Sequence, residues 1–383
     1  MPVSQLNIVD ADAHVNPPAT FWDGYLPASL KGRGPKIEVG SDAEGHDWVL
    51  FEGTRKPLVV LTSVAGHGRE HKTVGRATEI HEGGFLPSVR LKDMDQDGIG
   101  TAVLFGGGPL GTADNELFIE SFKAYNRWLA DFISHDRKRL VGVAYLPMQD
   151  VDEAVAMLKE AAKQGMRAVN IPAFPMSKTK AEIGGGFAAQ LLALTGDPHG
   201  ARQYDSPEFD PFWKAAVDHN MGITIHLGAR VARPGMTRLL PHMVMSKVSM
   251  GEPISIMVFG GVFDRFPQLR FGSIESGVGW FAWMAEYMDN IYDGHHGTVE
   301  LKHKPSFYLD QNVWGSFIRD RVGISQRHLK GAHNIMWSSD YPHSETSWPD
   351  SQGSIARQFE GLSDEERWPI LVGNAQRFYG LDG

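Results

Sequence analysis

The sequence predicts a (β/α)8 barrel, in which eight parallel strands alternate with helices, with a long insertion after the first strand. Three observations support this fold class. Eight short apolar runs recur along the 383-residue chain, each bounded by turn residues. Helical patterns separate most of these runs, as in parallel α/β folds. The segment 20–100, between the first two runs, is far longer than a usual connection in such a barrel.

The predicted strands are nearly continuous in apolar character, as strands buried on both faces of a parallel sheet should be. In the first strand, Asp10, Asp12 and His14 alternate with small residues and therefore face the same side. This pattern is typical of the edge of a metal site, although a surface strand with polar residues facing water explains it equally well. The eight strands are predicted at 7–14, 101–107, 140–147, 166–172, 222–228, 269–276, 306–312 and 334–342.

Five helices are predicted from apolar residues at three- and four-residue spacing. The second begins after Asp150, a capping residue, and ends at Gly165. Pro369 interrupts the last helix, so we expect a kink or a separate first turn there. The helices cover 115–135, 150–165, 206–222, 277–294 and 362–380.

We expect a single domain over residues 1–383, with 20–100 as an insertion or lid within it. The net charge of −9 and the absence of Lys/Arg clusters argue against nucleic acid as a partner. No stretch approaches 18 apolar residues, so no membrane span is expected. The chain has no cysteine and no visible signal peptide, which fits a cytoplasmic protein without disulfides or thiolate ligands.

Ligand-type side chains collect at the carboxyl ends of the predicted strands, where the active site of such a barrel lies. A single buried histidine is more often a core residue than a ligand. The joint occurrence of acidic and histidine side chains on four strand ends favours a metal site, because buried charges need a partner or a metal. These residues are Asp12 and His14 on the first strand, His226 on the fifth, Glu275 on the sixth, and Asp340 with the following His343 on the eighth.

Motifs over nearly the whole chain, most specifically "RLKDMDQDGI" (90–99) and "WSSDYPHSETSWP" (337–349), resemble those of the amidohydrolase superfamily, in the branch called amidohydrolase type 2. The resemblance implies a distorted TIM barrel with a divalent metal at the strand ends. It also implies ligand roles for four residues of this chain. They are Asp12, His14, His226 and Asp340.

The sequence departs from the superfamily pattern in three places. Asp12 replaces the first histidine of the usual motif, which makes the site richer in carboxylate and favours Fe or Mn over Zn. The fourth strand carries Asn170 and has no lysine of the kind that bridges two metals in binuclear hydrolases. Glu275 stands where related decarboxylases carry a working histidine, so their mechanism does not transfer simply.

A second metal site is predicted in the insertion, within "AGHGREHKT" (65–73). His67 and His71 are four residues apart, and on a helix their imidazoles would share one face and could bind one metal. Glycines around them weaken such a helix, so a polar loop with two solvated histidines is the alternative. His81 is a weaker candidate ligand.

Together these residues favour a dinuclear non-haem iron, or Fe/Mn, monooxygenase that hydroxylates an unactivated C–H bond. His67, His71 and Glu275 would hold the second metal, with Glu275 or Asp340 bridging, and the chain resembles a small subgroup of amidohydrolase-related dinuclear oxygenases at these positions. The alternative is a mononuclear hydrolase or aromatic-acid decarboxylase with a single Zn or Mn. Glu275 or His343 would then be the catalytic group that moves protons. A non-catalytic subunit is least favoured, because the ligand set is intact.

The segment 228–253 combines four methionines with three arginines and suits a largely apolar carboxylic acid or its thioester as the small-molecule substrate. Packing between helices or subunits explains the methionines equally well. The apolar stretch 254–263 is compatible with a homo-oligomer. The four methionines of segment 228–253 are Met236, Met243, Met245 and Met250, and its three arginines are Arg230, Arg233 and Arg238.

Overall fold

A computed structural model describes residues 7–106, 109–176, 195–197, 200–226, 239–295 and 297–381. Eight of its strands run parallel in one sheet, and three further strands form a small antiparallel sheet. The parallel strands are β1 (Ile8–Val15), β5 (Ile99–Gly106), β6 (Leu140–Tyr145), β7 (Ala168–Asn170), β8 (Gly222–His226), β9 (Phe271–Ile274), β10 (Val313–Phe317) and β11 (Ile335–Trp337). The antiparallel strands are β2 (Lys36–Glu38), β3 (Trp48–Phe51) and β4 (Thr54–Pro57).

The parallel strands follow the order β1-β5-β6-β7-β8-β9-β10-β11 and form a nearly closed barrel with helices between them. This confirms the predicted barrel. Every residue of β1, β6 and β8 is buried, as expected for strands covered on both faces. The two ends of the sheet meet where the Asp340 N–H donates to the Asp12 carbonyl at 3.0 Å.

Two of the helices between the strands begin after aspartate caps, of which Asp150 was predicted. The carboxylates of Asp114 and Asp150 accept hydrogen bonds from the amides of Leu117 and Glu153, which satisfies backbone donors in the first helical turn. The α-helices of the described residues are Phe21–Tyr25, Pro87–Asp97, Asn115–Ile133, Val151–Lys163, Asp210–Asp218, Leu239–Val248, Gly251–Phe259, Val262–Arg265, Phe281–His295, Pro305–Asn312, Arg321–Gln326, Ser351–Gln358, Asp364–Trp368 and Asn374–Tyr379.

The strand predicted at 306–312 is wrong. Pro305–Asn312 is a helix, and β10 begins directly after it. Proline at the first helical position favours a helix start, because its missing N–H would be unpaired there anyway. At the carboxyl end of the chain, Pro369–Gly373 forms a π-helical segment between two α-helices, so the predicted interruption at Pro369 is confirmed.

The segment between β1 and β5 holds the small antiparallel sheet, the helices Phe21–Tyr25 and Pro87–Asp97, and several 3-10 turns. It contacts the chain just beyond the carboxyl ends of β1 and β11. Asn16 donates its side-chain amide to the Thr62 carbonyl at 2.8 Å, and Gly66 lies against the Trp348 ring. The 3-10 turns are Ala28–Leu30, Leu61–Ser63, Gly68–Glu70, Ala77–Glu79 and Glu82–Gly84 here, and Pro207–Phe209 later in the chain.

None of the helices in the described ranges combines the length and apolar character needed to cross a membrane.

Candidate metal centre

Five of the residues predicted as metal ligands meet at the carboxyl ends of the barrel strands. The His14 Nε2 atom lies 3.3 Å from Asp12 Oδ1 and 3.2 Å from Asp340 Oδ1. The His226 Nε2 atom lies 3.2 Å from Asp12 Oδ1 and 3.7 Å from Glu275 Oε2. All five side chains are buried. The structure therefore brings three carboxylates and two imidazoles from four separate strands into one small pocket.

Several polar atoms of this pocket lack a hydrogen-bond partner although they are buried. Buried polar atoms in proteins are nearly always paired, and those that are not call for an explanation. Carboxylate oxygens and imidazole nitrogens are the donor atoms that Mn, Fe and Zn accept, so the pocket fits a divalent cation. The atoms without a hydrogen bond are Asp12 Oδ2, His14 Nε2, Glu275 Oε2, Asp340 Oδ1 and Asp340 Oδ2. Of these, His14 Nε2 and Asp340 Oδ1 lie at ion-pair distance from each other, but without the angles of a hydrogen bond.

The electrostatics of the pocket favour positive charge. Burial lowers the pKa of His14, but its contacts with Asp12 and Asp340 outweigh burial and raise the pKa to about 10. Burial raises the pKa of Asp340, and the neighbouring His343 and His14 reverse this and lower the pKa to about 2. A divalent cation would stabilise the negative charge of these carboxylates in the same way as the protonated imidazoles do.

Two of the carboxylates sit on strained backbone. Glu275 has φ +56° and Asp340 has φ +57°, in the left-handed region that residues with a Cβ seldom adopt. Each residue follows a strand end, and its amide is held in place. The Glu275 N–H donates to Ser316 Oγ at 2.8 Å. Strain of this kind costs about 1–3 kcal/mol per residue and is typical of functional sites.

His343 lies beside the pocket, on the segment that follows Asp340. Its Nδ1 atom is 3.0 Å from Asp340 Oδ1, and its ring stacks on that of His14 with centroids 3.8 Å apart. The side chain keeps 19% of its surface exposed. His343 forms a second potential ligand group with His14, Glu275 and Asp340, which overlaps the group of Asp12, His14, His226 and Glu275.

Two cationic side chains near the pocket were not predicted from the sequence. Arg90 is fully buried, donates through Nη2 to the His14 carbonyl and through Nε to the Gly83 carbonyl at 2.9 Å, and lies over the Tyr341 ring. It therefore holds the backbone of a proposed ligand. The only signal in the sequence is that Arg90 opens the "RLKDMDQDGI" motif.

The second missed residue is Lys247, on the helix Leu239–Val248. Its Nζ atom lies 3.3 Å from Glu275 Oε1 and 3.1 Å from Glu345 Oε2. Burial lowers the pKa of Lys247, but the charges of Glu275 and Glu345 outweigh it and hold the pKa above its usual value. A signal was present, because Lys247 is the one lysine in the methionine-rich segment 228–253.

The predicted second metal site in the insertion receives no support from the structure. His67 and His71 flank the single 3-10 turn Gly68–Glu70 and, within the described ranges, belong to neither ligand group. Positive φ angles at Gly66 (+85°) and Gly68 (+50°) turn the chain where an α-helix would have to continue. His81 pairs with Asp93, with Nε2 2.8 Å from Oδ2. The dinuclear centre built on His67, His71 and Glu275 therefore has no structural basis here.

The proposed substrate segment is only partly described. Met236, Arg230, Arg233 and Arg238 lie outside the described residues. Met250 is buried in the core and Met245 is 48% exposed, so these two methionines do not share a common surface.

Comparison with known proteins points to a single family. Residues 9–381 match the family model described as Amidohydrolase. A gamma-resorcylate decarboxylase from Polaromonas sp. (strain JS666) is 24% identical over 313 residues, which cover 76% of this chain and 87% of the relative.

Solved structures show the same fold. An amidohydrolase from Mycobacterium avium subsp. paratuberculosis K-10 superposes with a TM-score of 0.74 at 19% identity, covering 98% of both chains. A dihydroxybenzoic acid decarboxylase from Polaromonas sp. JS666, solved with bound manganese and the inhibitor 2-nitroresorcinol, gives a TM-score of 0.65 at 18% identity, again covering 98% of both chains.

Proposed function

Because the chain belongs to the Amidohydrolase family, matched over residues 9–381, we propose that it is a divalent-metal-dependent decarboxylase of a hydroxylated aromatic acid, with Mn²⁺ as the preferred ion. The observation that carries this proposal is the buried convergence of Asp12, His14, His226, Glu275 and Asp340, four of which have buried donor atoms without a hydrogen-bond partner. The manganese in the related decarboxylase from Polaromonas supports the choice of ion. The substrate class is taken from the same relatives.

In this proposal Asp12, His14, His226 and Asp340 hold the metal, and Glu275 lines the same pocket. The ion would polarise and orient the oxygens of the acid. The backbone amides of Glu275 and Asp340 donate to Ser316 Oγ and to the Asp12 carbonyl, which fixes the backbone from which these two side chains extend. Burial of all these side chains excludes bulk water from the reacting carboxylate.

The reaction breaks the bond between the carboxyl group and the ring, releases CO2 and leaves the electron pair on the ring carbon, which then takes a proton. We assign the proton transfer to His343. Its Nδ1 atom contacts Asp340 at 3.0 Å, so the ring is oriented beside the pocket. Its side chain is 19% exposed and can recover a proton from solvent after each turnover.

The dinuclear oxygenase that the sequence favoured has weaker support. That proposal required His67 and His71 to join Glu275 around a second ion, and neither belongs to the ligand groups found in the described part of the chain. Two of the three relatives described above, both from Polaromonas, are named as decarboxylases. We therefore prefer the mononuclear alternative.

The test is to measure CO2 release and O2 uptake together. The Mn²⁺-loaded chain is incubated with 2,6-dihydroxybenzoate and with a panel of other hydroxylated benzoates. We expect one CO2 per acid consumed, no O2 uptake, and loss of activity in Asp340→Asn. The matched control is Asp218→Asn, which removes a carboxylate that is 51% exposed and pairs with Lys214 on a surface helix. O2 consumption coupled to a hydroxylated product would contradict the proposal.

A further inference from the structure

The centre carries more negative charge than one divalent ion can neutralise. Asp12, Glu275 and Asp340 are each at most 4% exposed, and together they bring three carboxylates into contact with two imidazoles. One divalent ion leaves one carboxylate uncompensated. Leaving a buried charge unpaired is strongly unfavourable, so the third carboxylate favours a further cation beside it or a proton on it.

The donor atoms would allow that further cation to be a metal. His14, Glu275, Asp340 and His343 form a ligand group whose donor atoms all lie within 4.8 Å of one another. Glu275 Oε2 and both Asp340 oxygens are buried without a hydrogen-bond partner. This group overlaps the first one only at His14 and Glu275. The single donor nitrogen of His14 binds one ion only, so a second ion would rely on Glu275, Asp340 and His343, and could bind there if nothing else occupied the space beside Glu275.

Lys247 is the group that lies beside Glu275. Its Nζ atom is 3.3 Å from Glu275 Oε1, whereas Oε2 of the same carboxylate faces His226 Nε2 at 3.7 Å. The two oxygens thus have different neighbours. Lys247 is 25% exposed and also contacts Glu345 Oε2 at 3.1 Å, so it reaches the pocket from the surface helix Leu239–Val248.

No other arginine or lysine in the described ranges forms an ion pair with the three carboxylates. Arg90 is close, but its Nε and Nη2 atoms donate to the backbone carbonyls of Gly83 and His14. Arg90 therefore stabilises the backbone of the first strand and does not neutralise a carboxylate of the centre. Lys247 is the residue that places a positive charge next to Glu275.

We propose that Lys247 takes the place of a second metal ion, neutralising Glu275 and limiting the centre to one divalent ion. The charges of the buried centre then balance, with three carboxylates opposed by one divalent ion and one ammonium, whereas the Glu345 carboxylate that contacts the same ammonium is 38% exposed to solvent. The inference rests on the proposed metal-dependent function. It names the feature of this chain that separates a mononuclear from a dinuclear centre.

Metal stoichiometry tests the proposal. The purified wild-type chain and its variants are equilibrated with Mn²⁺, freed of excess ion, and analysed for manganese per chain and for the EPR signal of a magnetically coupled Mn²⁺ pair. Lys247→Met removes the ammonium but keeps a long side chain, and Lys247→Gln serves if the Met variant does not fold. Lys247→Arg keeps the charge, and Glu345→Gln removes only the outer partner.

We expect one Mn²⁺ per chain in the wild type, in Lys247→Arg and in Glu345→Gln, with no coupled signal. In Lys247→Met we expect about two Mn²⁺ per chain and a coupled signal, because the uncompensated carboxylate then attracts a second ion. Adding Glu275→Gln to Lys247→Met should return the content to one.

The outcomes distinguish this inference from the proposed function. A wild type with one Mn²⁺ and a Lys247→Met variant that also holds one would overturn the inference and leave the decarboxylase proposal standing. A wild type with two Mn²⁺ would overturn the inference as well. A folded wild type that binds no divalent metal would overturn the proposed function and, with it, the role assigned to Lys247.

Discussion

The backbone N–H of Asp340 donates to the carbonyl oxygen of Asp12 at 3.0 Å, across the seam where the first and last strands of the barrel meet. Both residues also carry carboxylates that point into the candidate metal centre. The centre is therefore built on the closure of the barrel itself. A cation bound there would hold the two ends of the sheet together, and this coupling has a measurable consequence for stability.

Metal binding should stabilise the folded chain. A ligand that binds only the folded state contributes about 2.7 kcal/mol at 100 times its Kd. We expect the unfolding midpoint to rise with Mn²⁺ and to fall with EDTA, measured by thermal or urea unfolding. His226→Ala should abolish the response, whereas His135→Ala, an exposed histidine far from the centre, should keep it. Equal midpoints with Mn²⁺ and EDTA would argue against a structural link between metal and barrel.

His343→Asn should separate proton transfer from metal binding. If His343 moves the proton, kcat should fall by about 10²–10⁴, which is the usual contribution of a positioned acid or base. Manganese content should stay at the wild-type value, because the four proposed ligands remain. The measurements are steady-state kinetics and metal analysis on the same preparation. Loss of the metal in this variant would instead identify His343 as a ligand.

Arg90→Met should destabilise the chain. The guanidinium is 1% exposed and donates to two backbone carbonyls, so its removal leaves buried acceptors unpaired. A cost of about 1–3 kcal/mol is expected for each unsatisfied buried group. The measurement is the free energy of unfolding in urea.

The matched control for Arg90 is Arg55→Met. Arg55 is 44% exposed and pairs with Glu38 on the surface of the small sheet. Its loss should cost less than about 1 kcal/mol, as for most surface ion pairs. Equal losses of unfolding free energy in the two variants would show that the hydrogen bonds of Arg90 to the Gly83 and His14 carbonyls stabilise the fold no more than a surface ion pair does.

Asp47→Asn should lower the free energy of unfolding by an amount that depends on pH. The Asp47 carboxylate accepts the amides of Ala77 at 2.8 Å and Gly40 at 3.0 Å, and these bonds hold its pKa below the usual value. A carboxyl whose folded pKa is lowered stabilises the protein above its unfolded pKa, about 3.9, and loses this as pH falls through the folded value.

The wild type should therefore exceed Asp47→Asn in stability by about 1–3 kcal/mol at pH 7, and the difference should shrink below about pH 4. Urea unfolding at several pH values measures this. Asp42→Asn is the control, because that carboxylate is fully exposed and lies 3.3 Å from the Arg76 guanidinium, which also lies 3.4 Å from Asp47. A difference that stays constant from pH 7 to pH 3 would contradict the assigned role.

Local pattern predicted most of the barrel, and its one misplaced strand shows where such patterns fail. The run 306–312 is apolar enough for a buried strand, yet it forms a helix that covers the sheet before β10. Both a buried strand and a core-facing helix need apolar side chains, so composition over seven residues does not separate them. Proline at position 305 was the cue that favoured the helix.

The histidines illustrate a different limit. Spacing alone suggested that His67 and His71 share a helix face, but two glycines with positive φ prevent that helix. Lys247 was missed because its place as the one lysine in the methionine-rich segment 228–253 does not indicate which residue it contacts. Its partner Glu275 directly follows β9, and only the packing of the helix Leu239–Val248 brings the two together.

The sequence by itself determined the fold class and the chemical type of the centre, because periodic burial and the acid and imidazole groups at strand ends are local properties. The tertiary structure decided which of those groups meet and which cation stands beside them. Contacts such as Asp12 with Asp340, or Lys247 with Glu275, depend on barrel closure and on the left-handed turns at Glu275 and Asp340. These contacts depend on tertiary packing, because residues distant in sequence become neighbours only after the strands between them have assembled into the barrel.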